Sequence, residues 1–426
     1  MEPKRHPRES RDLVKVPPTA TKTPNPMNTK LLKSLATIPL LLSALTAETG
    51  RASWDVSSNI DLTTRIFTED PRWPGQDDST SQFSIAGSTE FRYRGEESRA
   101  SIIPYLRYDE TDDERSLADL REAYWAKEAE DYELLIGVNT VFWGVTESVH
   151  LVDIINQTDA VADIDGEDKL GQPMINLELQ RDWGLVSVYV LPYFRERTFA
   201  GEDGRLRTPL PVDTNNPQYE SSDEENHVDV ALRYSHYVGS IDIGVSAFSG
   251  TSREARLLPS ANGSEFIPFY DQIDQLGLDL QYTGDAWLWK LEAIARETQN
   301  DSFTAAVGGF EYTFYQVAES NADVGVLLEL QYDGRDDGEP VTLADNDLFA
   351  GIRLALNDTQ DTAVLAGVGY DLETSETYVN IEADRRLGEN YVLELRARLF
   401  TNAEPTDRSY AIEKDDYLQL QLSRYF

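Results

Sequence analysis

The chain of 426 residues contains no cysteine, which excludes disulfide bonds, thiolate metal sites and cysteine nucleophiles. Basic residues are also few, because 38 Lys and Arg stand against 76 Asp and Glu and give a formal net charge of −38. Nucleic acids bind to cationic surfaces, so this charge excludes them as natural partners. The acidity fits either plain solubility, which we favour, or acidic surface loops that hold divalent cations.

Long apolar runs are missing as well: no stretch of the mature chain reaches the roughly 18 apolar residues of a membrane-spanning helix. A shorter apolar run, residues 34–47, follows a basic segment, and this order is typical of a secretory signal peptide. We assign the signal peptide to residues 27–52 and expect the mature chain to begin near Ser53. Residues 1–26 are basic, polar and proline-rich, and we interpret them as a disordered leader that precedes the true translation start at Met27.

From Ser53 onward the apolar residues recur with a period of two, which is typical of β-strands rather than helices. Ile241, Ile243 and Val245, for example, alternate with polar or small residues. Many of these segments approach the roughly 9–11 residues of a membrane strand and exceed the usual strand length of globular sheets. We count eighteen strands, with sixteen as the alternative. They span residues 54–66, 83–93, 99–109, 117–127, 131–138, 172–180, 184–193, 226–237, 239–249, 272–283, 286–297, 303–314, 323–333, 346–356, 362–371, 376–385, 391–400 and 416–426.

The predicted connections differ in length between the two ends of the strands. Tight turns such as residues 95–97 follow even-numbered strands, whereas long segments such as residues 139–171 and 194–225 follow odd-numbered strands. Lipid cannot satisfy the open edges of such a sheet, so the sheet must close. The sequence therefore predicts an all-β fold, in which residues 53–426 form one transmembrane, antiparallel, up-and-down β-barrel in the outer membrane of a Gram-negative bacterium. An even strand number places both termini on the periplasmic side.

The last strand ends with two aromatic residues, Tyr425 and Phe426. This ending resembles the terminal assembly signal of outer-membrane barrels, although Arg424 stands where many of them carry a further aromatic residue. The resemblance implies the barrel assembly machinery as a partner, together with outer-membrane lipid.

Because the apolar residues of each strand face outward, the polar residues are expected to face inward. A barrel of sixteen to eighteen strands encloses an aqueous lumen, and the charges along it select solutes. We expect these side chains to line a channel, the alternative being that they pair and fill the barrel without transport. The predicted lining residues are Arg233, Asp242, Asp279, Lys290, Glu292, Arg296, Glu311, Glu329, Arg353, Glu382, Asp384, Glu394, Arg396 and Arg398.

The third outer loop, residues 139–171, is too apolar to extend freely into water, since Val152, Ile154 and Ile155 need burial. Folding inward into the barrel mouth, as the third loop of general porins does, would bury them and narrow the channel. The predicted constriction residues are Trp143, Gly144, Glu147, His150, Asp153, Asn156 and Asp159.

Part of this loop, the stretch Phe-Trp-Gly at residues 142–144 with Glu147 and Ser148 after it, carries a further resemblance. It resembles an uncharacterised family of long Gram-negative outer-membrane channels that contain a Trp-Gly-Glu-Ser segment. In this chain Val145 and Thr146 separate the glycine from the glutamate, and the resemblance covers only the loop. It implies a porin-like channel and names no substrate.

Two groupings of reactive side chains in the loop suggest other chemistry. Ser148, His150 and Asp153 are a serine, a histidine and a carboxylate, but catalytic triads usually come from distant segments, so we expect no enzymatic activity. The acidic turn at residues 163–168 lacks the full spacing of a calcium-binding loop. We therefore expect a solvated acidic turn, with no metal and no cofactor.

The favoured hypothesis is a porin-type channel for passive diffusion of small hydrophilic solutes. One alternative is a specific export or uptake duct for a polymer or hydrophobic compound, gated by residues 139–171. Another is a non-conducting surface or adhesion barrel that uses acidic outer loops, with divalent cations among its partners. A monomer and a homo-trimer both remain open.

Overall fold

The structure, a computed structural model, describes residues 53–299, 301–336, 338–343 and 345–426. The predicted leader and signal peptide, residues 1–52, lie outside the described residues. Eighteen antiparallel strands form one sheet, and the first strand pairs with both the second and the last, so the sheet closes into a barrel. Within the described residues no helix is long and apolar enough to cross a membrane.

The barrel strands follow one another around the ring in chain order, except that three short strands lie in its loops. The barrel strands are β1 Ser53–Phe67, β2 Ser81–Arg94, β3 Ser98–Asp109, β4 Leu117–Glu128, β5 Tyr132–Asn139, β6 Gln172–Arg181, β7 Gly184–Leu191, β9 Asp229–Val238, β10 Ile241–Thr251, β13 Gln272–Thr283, β14 Trp287–Glu297, β15 Ser302–Phe314, β16 Asp323–Asp333, β17 Asp347–Ala355, β18 Ala363–Asp371, β19 Thr377–Leu387, β20 Tyr391–Thr401 and β21 Tyr417–Tyr425. The loop strands are β8 Gln218–Tyr219, β11 Arg256–Pro259 and β12 Phe266–Tyr270.

All eighteen predicted strands are confirmed, which removes the sixteen-strand alternative. The three loop strands form a separate small sheet that the sequence did not predict, because segments this short carry little periodicity. The two ends differ as expected, although the connections from β14 to β15 and from β18 to β19 are short and lie at the end that carries the long loops. That end is called the loop end below, and the opposite end the turn end.

The two faces of the wall differ in polarity and exposure. Leu276 and Leu330 are 63% and 56% exposed on one face, whereas Glu292 and Arg398 are wholly buried on the other. The exposed apolar face and the buried charged face are the reverse of a water-soluble sheet. This reversal is typical of a barrel whose outer face meets lipid.

Exposed aromatic side chains lie near both ends of the outer face. At the turn end, Trp287 and Trp289 stack at 5.6 Å, and Trp287 meets Tyr312 edge-on at 4.6 Å. At the loop end, Tyr108 and Tyr332 are 60% and 51% exposed. Aromatic residues prefer the membrane interfaces, so these side chains mark the upper and lower limits of the hydrocarbon layer.

Closure of the barrel can be tested with an engineered disulfide, because the chain has no native cysteine. Leu62 of β1 lies directly opposite Leu422 of β21, and opposed residues are close enough for a disulfide. We expect the variant Leu62→Cys/Leu422→Cys to cross-link on oxidation and to migrate differently on denaturing gels until it is reduced. The matched control is Leu62→Cys/Leu420→Cys, which is two residues out of register on the same face. Equal cross-linking of both variants would contradict the register.

Candidate functional site

The connection between β5 and β6, residues 140–171, is called the β5–β6 loop. It makes hydrogen bonds to side chains from the buried face of many strands, and these partners fall into two groups. Carboxylates of β14 and β16 bind its first part, and arginines of β1, β3, β4 and β20 bind its last part.

The first group consists of two buried wall carboxylates that accept hydrogen bonds from the loop backbone. Glu292 accepts from the backbone N–H groups of Val145 at 2.7 Å, Thr146 at 3.0 Å and Val152 at 3.2 Å. Glu329 accepts from the backbone N–H groups of Glu147 and Ser148, both at 2.9 Å. Each carboxylate thus satisfies several donors that would otherwise be buried without partners.

The second group consists of arginines that bind loop carboxylates. Asp163 accepts hydrogen bonds from Arg396 at 2.7 Å, from Arg398 at 3.0 Å and from the Tyr417 hydroxyl at 3.1 Å. Although burial opposes it, the guanidinium groups of Arg398, Arg65 and Arg396 hold the pKa of Asp163 below its usual range. The prediction of a solvated acidic turn is wrong at this residue, because Asp163 is buried and paired with arginines of the barrel wall.

Asp159 is bound in the same way, but by arginines of the first strands. Its two oxygens accept hydrogen bonds from Arg107 of β3 and Arg121 of β4, each at 3.1 Å, and its side chain is wholly buried. Arg65 donates to the carbonyl oxygen of Ala162. A buried carboxylate requires such pairing, since an isolated buried charge costs several kcal/mol.

The loop also has internal supports. Asn156 accepts from the backbone N–H of Val141 and donates to the carbonyl oxygens of Asn139 and Leu170, which ties the two ends of the loop together. Asp153 lies 3.0 Å from the Lys169 ammonium group. The loop residues Trp143, Val152, Ile154 and Ile155 are buried against inward-facing side chains of the wall, which gives its apolar residues the burial that they need.

Gly144 leaves little room for a side chain: its φ is +149°, and a Cβ would lie 3.0 Å from Nδ1 of His150 and 3.1 Å from Oε1 of Glu292. The His150 ring packs edge-on against Phe142 at 4.8 Å, and its Nε2 lies 3.9 Å from Glu167. The hydroxyl of Ser148 donates to Glu329, so these side chains serve to position the loop.

All fourteen predicted lining residues lie on one face of the sheet, because the strand register places them opposite one another or opposite other residues of that face. Five of them are buried and therefore face loop or neighbouring side chains rather than open lumen, which corrects the expectation that every one of them lines the channel. These five are Asp279, Glu292, Arg296, Glu329 and Arg398. Arg233, which pairs with Asp279 at 2.8 Å, lies over the Trp143 ring.

The remaining lining residues keep some exposure. Asp242 and Asp384 are exposed near the turn end, and Glu394 lies 3.3 Å from Gln421. Glu311 lies 3.4 Å from Arg353. Lys290 lies 3.6 Å from Glu147.

A group of charged side chains that range from largely buried to exposed lies where the loop faces β17, β19 and β20. On the wall, Arg353, Glu382 and Arg396 are 39%, 34% and 29% exposed. On the loop, Glu147 forms a 2.6 Å hydrogen bond to Arg353, and Glu167 is 65% exposed. Burial and the charge of Asp163 raise the pKa of Asp165 to about 7. We call Glu147, Asp165, Glu167, Arg353, Glu382 and Arg396 the eyelet residues.

Sequence reasoning did not identify the arginines of the first strands, Arg65, Arg107 and Arg121. Arg65 and Arg107 occupy polar positions within alternating strands, flanked by Ile66 and Leu106, so the periodicity used for the later strands would have found them. Arg121 sits at an irregularity of β4, where the period breaks.

The closed ring of eighteen strands, the lipid-compatible outer face and the aromatic residues near its two ends define a β-barrel of the Gram-negative outer-membrane type. No family model matches the chain, and no curated protein matches it. Among solved structures it is similar to Wzi of Escherichia coli, described as an outer membrane protein involved in group 1 capsule assembly and a carbohydrate-binding β-barrel. The TM-score is 0.51 at 11% identity, over 94% of this chain and 89% of that one.

It is also similar to two proteins of Pseudomonas aeruginosa. For OccD3 (OpdP) the TM-score is 0.52 at 10% identity, covering 89% of this chain and 92% of that one. For OpdQ the TM-score is 0.51 at 11% identity, covering 89% of this chain and 99% of that one. At these identities the similarity establishes the fold.

The role of Glu292 can be tested by the change Glu292→Gln. An amide accepts fewer of the converging hydrogen bonds and carries no charge, so we expect the free energy of unfolding to fall by about 2 kcal/mol. We also expect proteolysis of the β5–β6 loop to become faster. Urea titration of the folded barrel and limited proteolysis measure the two effects. The matched control is Glu297→Gln on the exposed outer face of the same strand; an equal effect there would contradict a role in holding the loop.

Proposed function

We propose that the protein is an outer-membrane channel for passive diffusion of small hydrophilic solutes, and that the β5–β6 loop narrows it. The observation that carries this proposal is the attachment of one loop to both sides of the ring. Its first part binds Glu292 and Glu329, and its last part binds arginines of the first and last strands. A segment held in this way crosses the lumen and leaves the passage between itself and β17–β20.

The eyelet residues give this passage a charge pattern. The loop side offers Glu147, Asp165 and Glu167, and the wall side offers Arg353 and Arg396 with Glu382 between them. Opposed charges create a field across the passage, and the excess of carboxylates favours cations. The structural similarity to the P. aeruginosa barrels is compatible with a channel.

A second candidate is a surface barrel that binds carbohydrate without conducting. The similarity to Wzi favours it. Two buried ion pairs that hold the outer loops in place favour it as well. Arg205 pairs with Asp415, and Arg253 pairs with Asp229 at 2.8 Å, all four side chains being buried. Planar-bilayer recordings separate the two candidates, because a clean preparation of a carbohydrate-binding barrel without a pore gives no conductance steps.

Ion selectivity tests the eyelet. The change Glu167→Gln removes a negative charge that is 65% exposed and lies 3.9 Å from His150, so we expect the permeability ratio of K⁺ over Cl⁻ to fall while the channel still opens. Reversal potentials under a salt gradient measure this ratio. Glu297→Gln on the outer face serves as the control, and an unchanged ratio in Glu167→Gln would place the passage elsewhere.

The raised pKa of Asp165 predicts pH dependence. Between pH 6 and 8 this carboxyl loses its proton, since its pKa is about 7, and the added negative charge should increase cation selectivity. Because its pKa in the folded protein lies above the ordinary value, the free energy of unfolding should fall as the pH rises from about 4 to about 7 and should level off above this range. Selectivity recorded across this range should become flat in Asp165→Asn; a slope of the same size in the variant would assign the titration to another group.

A further inference from the structure

The wall of the barrel is interrupted between β4 and β5. The pairing of these strands ends at Ala123 and Val138, but β4 continues to Leu117 and remains paired with β3 as far as Arg107. Residues 117–122 therefore have a strand on one side and none on the other. At the loop end, no other neighbouring pair within the described barrel leaves so long a stretch of strand unpaired.

This interruption lies within the hydrocarbon layer. On the outer face, Ala118 and Leu120 of the free edge lie opposite Leu106 and Pro104 of β3, and the exposed aromatic residue Tyr108 lies beyond them. The edge is irregular as well, because the register shifts at Pro104, a residue without a backbone N–H. Lipid cannot satisfy the free backbone groups of such an edge, so something else must cover it.

Beside the edge, Asp119 of β4 forms a hydrogen-bonded cluster with Gly171 and Arg195, and we call these three residues the seal. Arg195 donates from Nη1 to Asp119 at 2.7 Å and to the carbonyl oxygen of Gly171 at 2.7 Å. Asp119 also accepts from the backbone N–H of Gly171 at 3.2 Å. Since Arg195 follows β7, the seal reaches past the ends of β5 and β6 to β4.

Gly171 fits tightly into the seal. A Cβ at this position would overlap the carbonyl oxygen of Leu120 and lie 2.7 Å from Cγ1 of Val138. Beside it, Gln172 has a buried Oε1 without a hydrogen-bond partner. Side-chain contacts and one glycine thus close a part of the wall that backbone pairing closes elsewhere.

We propose that this interruption is a lateral portal through which an amphiphile with an acyl chain passes between the lumen and the outer leaflet. The two sides of the interruption suit such a molecule. Leu106 and Leu120 line the lipid side, whereas Asp119, Arg121 and Arg195 offer charged partners for a polar head on the lumen side. Opening requires the loss of the Arg195 contacts and of the Gly171–Asp119 hydrogen bond and a displacement of Gly171, but of no strand pairing. The proposal is independent of the diffusion channel.

The test uses the refolded full barrel in phosphatidylcholine vesicles that contain phosphatidylcholine with a photoreactive diazirine on one acyl chain. After irradiation, mass spectrometry locates the labelled residues. In the wild type we expect labelling of the outer face together with a low level at Leu117 and Asp119, whose side chains face the lumen. In Arg195→Ala we expect labelling at Leu117 to rise roughly tenfold, the change in open population that a loss of about 1.4 kcal/mol produces.

The matched control is Arg233→Ala, which breaks an arginine–aspartate pair of similar length, 2.8 Å, inside a continuously paired part of the wall. A similar rise at Leu117 in this control would show general loosening and overturn the portal. Labelling confined to the outer face in both the wild type and Arg195→Ala would also overturn it. Should Arg195→Ala not fold, Asp119→Asn weakens the same seal and is held to the same outcomes.

Discussion

The arrangement of the barrel interior depends on one buried ion-paired carboxylate, Asp163. It lies among Arg396, Arg398 and the Tyr417 hydroxyl, and both Asp163 and Arg398 are withdrawn from solvent. Breaking a buried pair by removing one partner costs about 3–5 kcal/mol, because the remaining charges stay buried. The ion pairs of Asp163 therefore hold the last part of the β5–β6 loop against the last strands. The position of the eyelet residues depends on this attachment.

The loop is held by opposite chemistry at its two sides. Wall carboxylates capture its backbone N–H groups near Glu292, whereas wall arginines capture its carboxylates at Asp159 and Asp163. Both kinds of contact bury charged groups. Each of these groups has several hydrogen-bond partners, and buried charge is tolerated only under this condition. The departure of the loop from the wall has a structural consequence, because the free edge of β4 is then closed by Asp119, Gly171 and Arg195 instead of by a strand.

The strands and their closure could be predicted from the sequence because alternation is a local property that each segment displays by itself. The partners of the loop could not, since Glu292 and Arg398 look alike as polar residues in alternating strands, and only the fold decides that the loop buries both. The prediction of a solvated acidic turn was wrong at Asp163 for the same reason. Asp163 and Glu167 are four residues apart, yet Asp163 is buried among arginines and Glu167 is exposed. The interruption beside β4 left one sign in the sequence, Pro104 in the middle of a strand.

A comparison of single-channel conductance between the wild type and Asp163→Asn tests whether the β5–β6 loop, held by the ion pairs of Asp163, narrows an open channel. If it does, the wild type conducts in discrete steps, and the variant, whose loop is released from the last strands, gives larger and noisier steps under the same salt. The absence of steps in a clean wild-type preparation, or identical steps in the variant, would contradict this view.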